Sequence, residues 1–229
     1  MLRLNAYRVA YGQSEVLHGL DLDVGDAEIV AVLGRNGMGK STLMKSLIGL
    51  LPTASGTAEL DGRRLESLSS HQRVRAGLGY VPQGRMIFPS LSVAENLRTG
   101  LVSTGKSELP ADIHELFPVL AEMADRRGGN LSGGQQQQLA IGRALATDPS
   151  VLLLDEPTEG IQPSIIKDLG QVLRRIRDTR RLSIVVSEQV LSFALAVADR
   201  VLVLENGRLV HESLRADIDE ARIASLLSV

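Results

Sequence analysis

The chain has 229 residues, 44% hydrophobic and 3% aromatic, with a formal net charge of −2 and no cysteine. That is apolar material for one large α/β domain or two small lobes, and it excludes a disulfide framework, a thiolate metal site or a thiol nucleophile. Scarce aromatic rings and a near-neutral charge leave neither a base-stacking platform nor a basic footprint, so no nucleic-acid partner is expected.

In chain order, the N-terminus alternates polar and apolar residues like a strand and lacks the continuous apolar core of a signal peptide. No stretch approaches the ~20 apolar residues that span a bilayer, so any membrane role would run through a partner, from the aqueous side. Residues 2–9 and 16–24 alternate, with turn residues at Gly12 and Gly25, and predict an antiparallel sheet flanking the core. Short apolar runs at 28–33, 78–81, 151–154, 183–186 and 201–204 predict buried parallel strands. Helical spacing of Leu43/Leu47/Leu50 and of Ile165/Leu169/Val172/Ile176 separates them, as in a wound α/β core. Residues 91–146 break this rhythm, with helix starts at Ser92 and Ser132 and a polar loop near 103–110. The expectation is one domain over 1–229, with its core and antiparallel part from 1–90 and 147–229 and an inserted helical lobe at 91–146.

Gly34-Arg35-Asn36-Gly37-Met38-Gly39-Lys40-Ser41-Thr42 follows the first buried run and opens a helix. This is the context of a phosphate-binding loop rather than of a plain glycine-rich turn. Glycines let backbone N–H groups face an anion, the helix N-terminus adds partial positive charge, and Lys40 reaches the outer phosphates while Ser41 offers a hydroxyl to Mg²⁺. The run Val151-Leu152-Leu153-Leu154 ends in Asp155-Glu156. A core strand meeting a polar turn reads the same way, but phosphoryl transfer to water needs one carboxylate for Mg²⁺ (Asp155) and a second group to orient or deprotonate the water (Glu156).

Gln83, between core and lobe, is either a solvated loop residue or a contact to metal and lobe. Leu131-Ser132-Gly133-Gly134-Gln135 opens a helix, and an N-cap explains Ser132. It does not explain two glycines in a first turn, each costing ~1 kcal/mol against Ala. An exposed helix N-terminus of this kind is a second anion site, and it is expected to receive phosphate from another subunit. Tyr11 is either an interior side chain or a stacking partner for adenine. The cluster Arg174, Arg175, Arg177, Arg180 and Arg181 reads as a solvated helix face.

The order of these motifs resembles that of ABC transporter nucleotide-binding domains over essentially the whole chain. Within that superfamily it is most similar to the short ATPases of branched-chain amino acid and amide importers. The stretches 81–85, 131–146 and 155–163 look most like the urea-importer ATPase of bacteria. The resemblance implies a P-loop NTPase core with a flanking antiparallel β subdomain and an inserted helical subdomain. It also implies ATP and Mg²⁺ as cofactors, with Glu156, Lys40, Gln83 and Gln189 in the catalytic set. Mg²⁺ would lie at Ser41, Gln83 and Asp155, and the nucleotide at Tyr11, at 34–42 and, across a dimer, at Ser132, Gly133, Gly134 and Gln135. Two transmembrane permease subunits, a paralogous ATP-binding subunit and, indirectly, an extracytoplasmic solute-binding protein are the implied partners, with this chain peripheral on the cytoplasmic face. The implied solute is urea first and a branched-chain amino acid second. Rival readings are a soluble ABC-type ATPase that remodels ribosomes or DNA and a nucleotide-gated subunit with little hydrolysis. Two positions depart from the family pattern. Gln189 stands where many members have a histidine, and Gln162 where many have an aspartate. A glutamine amide cannot take up a proton at neutral pH, so the proton-acceptor role is not expected of Gln189. The resemblance to importers with two different ATPases, one of which typically has this glutamine, implies a non-identical neighbour carrying the histidine.

Overall fold

The computed structural model describes residues 1–228. In chain order, β1 (Leu2–Tyr11) and β2 (Ser14–Val24) form a hairpin, and β3 (Ile29–Leu33) turns into α1 (Lys40–Leu47). β4 (Thr53–Leu60), β5 (Arg63–Arg64), α2 (Ser70–Arg75) and β6 (Leu78–Val81) follow. Then come α3 (Val93–Leu101), α4 (Asp112–Leu116), α5 (Pro118–Glu122) and α6 (Gly133–Leu145). The remainder is β7 (Val151–Asp155), α7 (Pro163–Arg180), β8 (Ser183–Glu188), α8 (Leu191–Val197), β9 (Arg200–Glu205), β10 (Arg208–Leu214) and α9 (Glu220–Ser228).

The antiparallel sheet has the order β2-β1-β4-β5. A bulge near Ala6, whose φ is +45°, resets the alternation of β1, so Leu2 and Leu4 before it and Tyr7 and Val9 after it are all buried. Tyr7 is therefore the interior tyrosine of this strand, and Tyr11 at the strand end is 48% exposed. The larger sheet has the order β10-β9-β3-β8-β7-β6, parallel except for β10 against β9. Every residue of β3, β7 and β8 is buried, which is why their sequences run apolar without alternation. The expected fold class is thus the one observed.

One feature of this order positions the site. β3, β8, β7 and β6 are neighbours and parallel, so their C-terminal ends lie side by side. The chain leaves them at Leu33, Glu188, Asp155 and Val81, which is where an open α/β sheet collects its chemistry. Between β6 and β7 the chain is helical. α3 and α6 each start on a serine N-cap with a reciprocal capping box, Ser92 with Glu95 and Ser132 with Gln135. The two helices approach so closely that a Cβ on Gly100 would run into the carbonyl of Arg143. Leu97, Leu101 and Ile141 from these helices share one apolar cluster with Leu152, Leu154 and Ile184 from the sheet.

Two expectations need correction, and one strand is not read from the sequence at all. α1 stops at Leu47, because the following turn passes through Gly49 at φ +84°, and Leu50 is an exposed surface residue. The small, polar stretch 53–60 is a strand, held by its pairing with β1 rather than by its own pattern. The arginines of α7 are not a free solvated face. Arg177 pairs with Asp199 at 2.6 Å, Arg180 grips Asp112 through two bonds of 2.6 Å, Arg174 donates to the Ala196 carbonyl, and Arg175 donates to that of Glu115.

Candidate active site at the ends of four parallel strands

After β3 the chain curls through Gly37 and Gly39, both at positive φ, and enters α1 with no side chain capping its first turn. Four N–H groups at such a start lack helical partners, so the loop presents an anion cradle. Gly34 is fixed by space: a Cβ there would lie 2.5 Å from the Leu204 carbonyl. Arg35, Asn36 and Gly37 are exposed, Met38 and Ser41 half-buried, and Gly39 and Thr42 buried. Lys40 is 3% exposed. Its ammonium donates to the carbonyls of Gly34 at 2.7 Å and Arg35 at 3.1 Å, and lies 3.2 Å from Glu156 Oε1. Three donors thus meet three acceptors, which is what allows a cation to be buried here.

Asp155 is buried at the end of β7. Its Oδ1 accepts from Ser187 Oγ at 2.6 Å and Ser41 Oγ at 3.0 Å, while its buried Oδ2 has no partner. Burial pushes the Asp155 carboxyl above the usual range, against the lowering effect of the two hydroxyls. The neighbouring Tyr80 hydroxyl is pushed up as well, by its own burial and then by Asp155, and it completes no hydrogen bond. An unsatisfied carboxylate oxygen next to a serine hydroxyl fits Mg²⁺, a hard cation that takes few protein oxygens and shares the rest of its shell with phosphates and water.

Glu156 has φ +47°, a left-handed backbone that costs a non-glycine residue about 1–3 kcal/mol. Its N–H is bound by the Ser187 carbonyl at 3.0 Å and the Ser187 hydroxyl at 3.2 Å, which holds the turn. The turn aims the carboxylate at Lys40 on one side and at two amides on the other. Gln189 Nε2 donates to Oε2 at 2.9 Å and Gln83 Nε2 to the same oxygen at 3.3 Å.

The structure therefore brings Lys40, Ser41, Asp155, Glu156, Gln83 and Gln189 together. Tyr11, Ser132, Gly133, Gly134 and Gln135 are not joined to them. Ser132 is exposed, and its hydroxyl accepts from the Gln135 N–H at 3.3 Å while Gln135 Oε1 accepts from the Ser132 N–H at 2.9 Å. Among the described residues, no hydrogen bond of 132–135 reaches 34–42. The glycines also have a packing role: a Cβ on Gly134 would lie 2.7 Å from Ile165, and one on Gly133 would lie 3.1 Å from the Gly160 carbonyl.

Sequence reasoning missed Ser187, Thr158 and Glu188, which gather beneath the carboxylates, because only the β7–β8 pairing brings them there. It also missed Arg143. Its half-buried guanidinium donates to the carbonyls of Arg85 and Met86 and lies 5.4 Å from the Phe88 ring, and partial burial lowers its proton affinity. Arg85 and Met86 are left-handed in succession, and Arg85 reaches the Glu159 carbonyl at 2.7 Å.

The sequence matches the ABC transporter family over residues 17–159. It is similar to the high-affinity branched-chain amino acid transport ATP-binding protein BraG of Pseudomonas aeruginosa, 41% identical over 92% of this chain and 91% of that one. A probable branched-chain amino acid transport ATP-binding protein, LivF of Archaeoglobus fulgidus, is 36% identical over 91% and 89% of the two chains. The lipopolysaccharide export system ATP-binding protein LptB of Escherichia coli K12 is 32% identical over 91% and 88%. Among solved structures, a nucleotide-free ATP-binding cassette from an ABC transporter superposes with a TM-score of 0.84 at 25% identity, over all of this chain and 95% of that one. Another such cassette, in its ADP conformation, gives 0.83 at 26% identity, over all of this chain and 94% of that one. With a phosphate cradle, a lysine and two carboxylates on neighbouring strand ends, and kinship extending along nearly its full length, the chain belongs to the ATP-binding, ATP-hydrolysing subunits of ABC transporters.

Proposed function

We propose that this chain hydrolyses Mg-ATP held between its own residues 34–42 and residues 132–135 of a neighbouring ATP-binding subunit, and that this drives an importer. The observation that carries the reading is Glu156, held in a strained turn between Lys40 and two glutamine amides and adjacent to the unpartnered oxygen of Asp155. Lys40 engages the outer phosphates. Asp155 and Ser41 would hold Mg²⁺, with Gln83 at its edge, and the ion when bound would neutralise charge on the phosphates. Glu156 orients the attacking water and accepts its proton, and the amides of Gln83 and Gln189 fix its Oε2. Tyr11, exposed at the end of β1, is available to stack on adenine. Purified protein tests this directly. Glu156→Gln should retain ATP binding while turnover falls by ~10²-fold or more, and near-normal turnover would sink the assignment.

The neighbour in this reading is a paralogous ATP-binding subunit, as the resemblance to importers with two different ATPases implies, and Gln189, an amide that takes up no proton at neutral pH, is compatible with it. Two transmembrane permease subunits dock at a groove of about 540 Å³ lined by Tyr80, Met86, Phe88, Thr99 and Arg143, where Met86 is 69% and Phe88 47% exposed. No helix among the described residues is long and apolar enough to cross a membrane. In this reading the chain meets the bilayer through those partners, on the cytoplasmic face. An extracytoplasmic binding protein delivers the solute. We place branched-chain amino acids ahead of urea, since two similar relatives are named for the former. Uptake of labelled leucine and of labelled urea by vesicles holding the whole complex and internal ATP discriminates them. Uptake of urea alone would reverse the order.

A further inference from the structure

Glu188, the last residue of β8, takes no part in the chemistry above, yet it is 1% exposed and every hydrogen bond of its side chain is to a loop of the site. Its Oε1 accepts from the Thr158 N–H at 3.1 Å and the Thr158 hydroxyl at 2.7 Å. Its Oε2 accepts from the N–H groups of Gln189 at 2.9 Å and Val190 at 3.2 Å. All four donors are neutral. A buried carboxylate is costly, and a turn-capping role would need only the oxygen facing Gln189 and Val190. The other oxygen goes instead to Thr158, two residues past Glu156 and 5% exposed.

We infer that Glu188 is a positioning residue. It clamps the backbone of Gln189 to the loop that carries Glu156, and so sets where the Gln189 amide meets the Glu156 carboxylate. A histidine could adjust its interaction with phosphate by gaining a proton; a glutamine has only its placement. The clamp supplies that placement through the backbone, so it leaves the Gln189 side chain free to donate. Carboxylate chemistry is required because both oxygens must accept. In Glu188→Gln one of them becomes an NH₂ group facing at least one backbone N–H, donor against donor, with the shape unchanged.

This inference rests on the proposed roles of Glu156 and Gln189, and a double-mutant cycle separates its failure from theirs. Single-turnover hydrolysis and ATP affinity are measured on folded protein, with the partner subunit present where the complex requires it. For Glu188→Gln, hydrolysis at saturating ATP should slow about tenfold while the Kd for ATP stays within about threefold, a split that general loosening would not give. In a Gln189→Ala background the same change should cost less than about twofold. A further full tenfold loss there would overturn the inference, because Glu188 would then act independently of Gln189. Wild-type hydrolysis by Glu188→Gln would overturn it too. If Glu188→Gln does not fold, Thr158→Val removes one of the four donors and should slow hydrolysis about threefold, with no effect on top of Gln189→Ala. An unchanged rate in Thr158→Val would then overturn the clamp. A wild-type rate in Gln189→Ala would remove the role of Gln189 itself, and the inference with it.

Discussion

The two glycine-rich helix starts of this chain, one at Gly39 and one at Ser132, are built in opposite ways. At α1 the cap is a glycine, the lysine behind it is buried, and its charge is answered by Glu156 and two carbonyls of the same loop. At α6 the cap is an exposed serine that answers its own backbone, and no acid or base of the strand ends touches it. The first is a nearly finished machine part and the second is a surface. Burial is what separates them, since charges held away from water interact strongly but must be fully paired, whereas an exposed helix start can wait for a ligand brought by another molecule.

Removing the buried cation breaks the finished half. Lys40→Ala should weaken binding of a fluorescent ATP analogue by ~10²-fold, since charge-assisted bonds of ~2–3 kcal/mol are lost and Glu156 is left unpaired. Retained affinity would mean that the backbone cradle alone holds the phosphates. Ser132→Arg blocks the open half instead. The isolated chain should bind ATP within about twofold of wild type, while turnover by the assembled complex falls ~10-fold or more. Loss of binding by the isolated chain would place 132–135 in its own site. A smaller effect comes from Gly134→Ala, whose methyl group would meet Ile165 at 2.7 Å. Overpacking of ~1–3 kcal/mol should lower Tm by several degrees, and an unchanged Tm would mean the glycine serves only the ligand.

Least affected is the ion pair that ties the helical segment to α7. Asp112→Asn should cost about 0.5 kcal/mol in denaturant unfolding, as Asp112 is 36% exposed. Arg180 holds the Asp112 carboxyl below its ordinary value of 3.8, so the advantage of wild type should be present above that pH and fade as pH falls below it. An advantage that grew with acidity would contradict the pairing.

Much of the catalytic half was legible because its chemistry sits in continuous runs: Lys40 and Ser41 follow a glycine loop after an apolar strand, and Asp155 and Glu156 end another. What joins the runs was not legible. That Gln83 and Gln189, 106 positions apart by number (189 − 83), bond the same oxygen of Glu156 follows from β6, β7 and β8 lying side by side. Ser187 and Glu188 read as the polar end of a strand until that strand is placed beside β7. In the same way β4 lacks an apolar alternation strong enough to announce itself, because β1 supplies its partner. The arginines of α7 carry no local mark of which carboxylates they will meet.

The place of Arg143 on α6 has a mechanical consequence. α6 begins at Gly133, beside the exposed Ser132, and ten residues later (143 − 133) Arg143 donates to the carbonyls of Arg85 and Met86. At 1.5 Å per residue the two points are ~15 Å apart along a stiff rod. The contact with Met86 and the exposed Ser132 therefore share a single rigid element, and neither end of it can be repositioned as a body without the other.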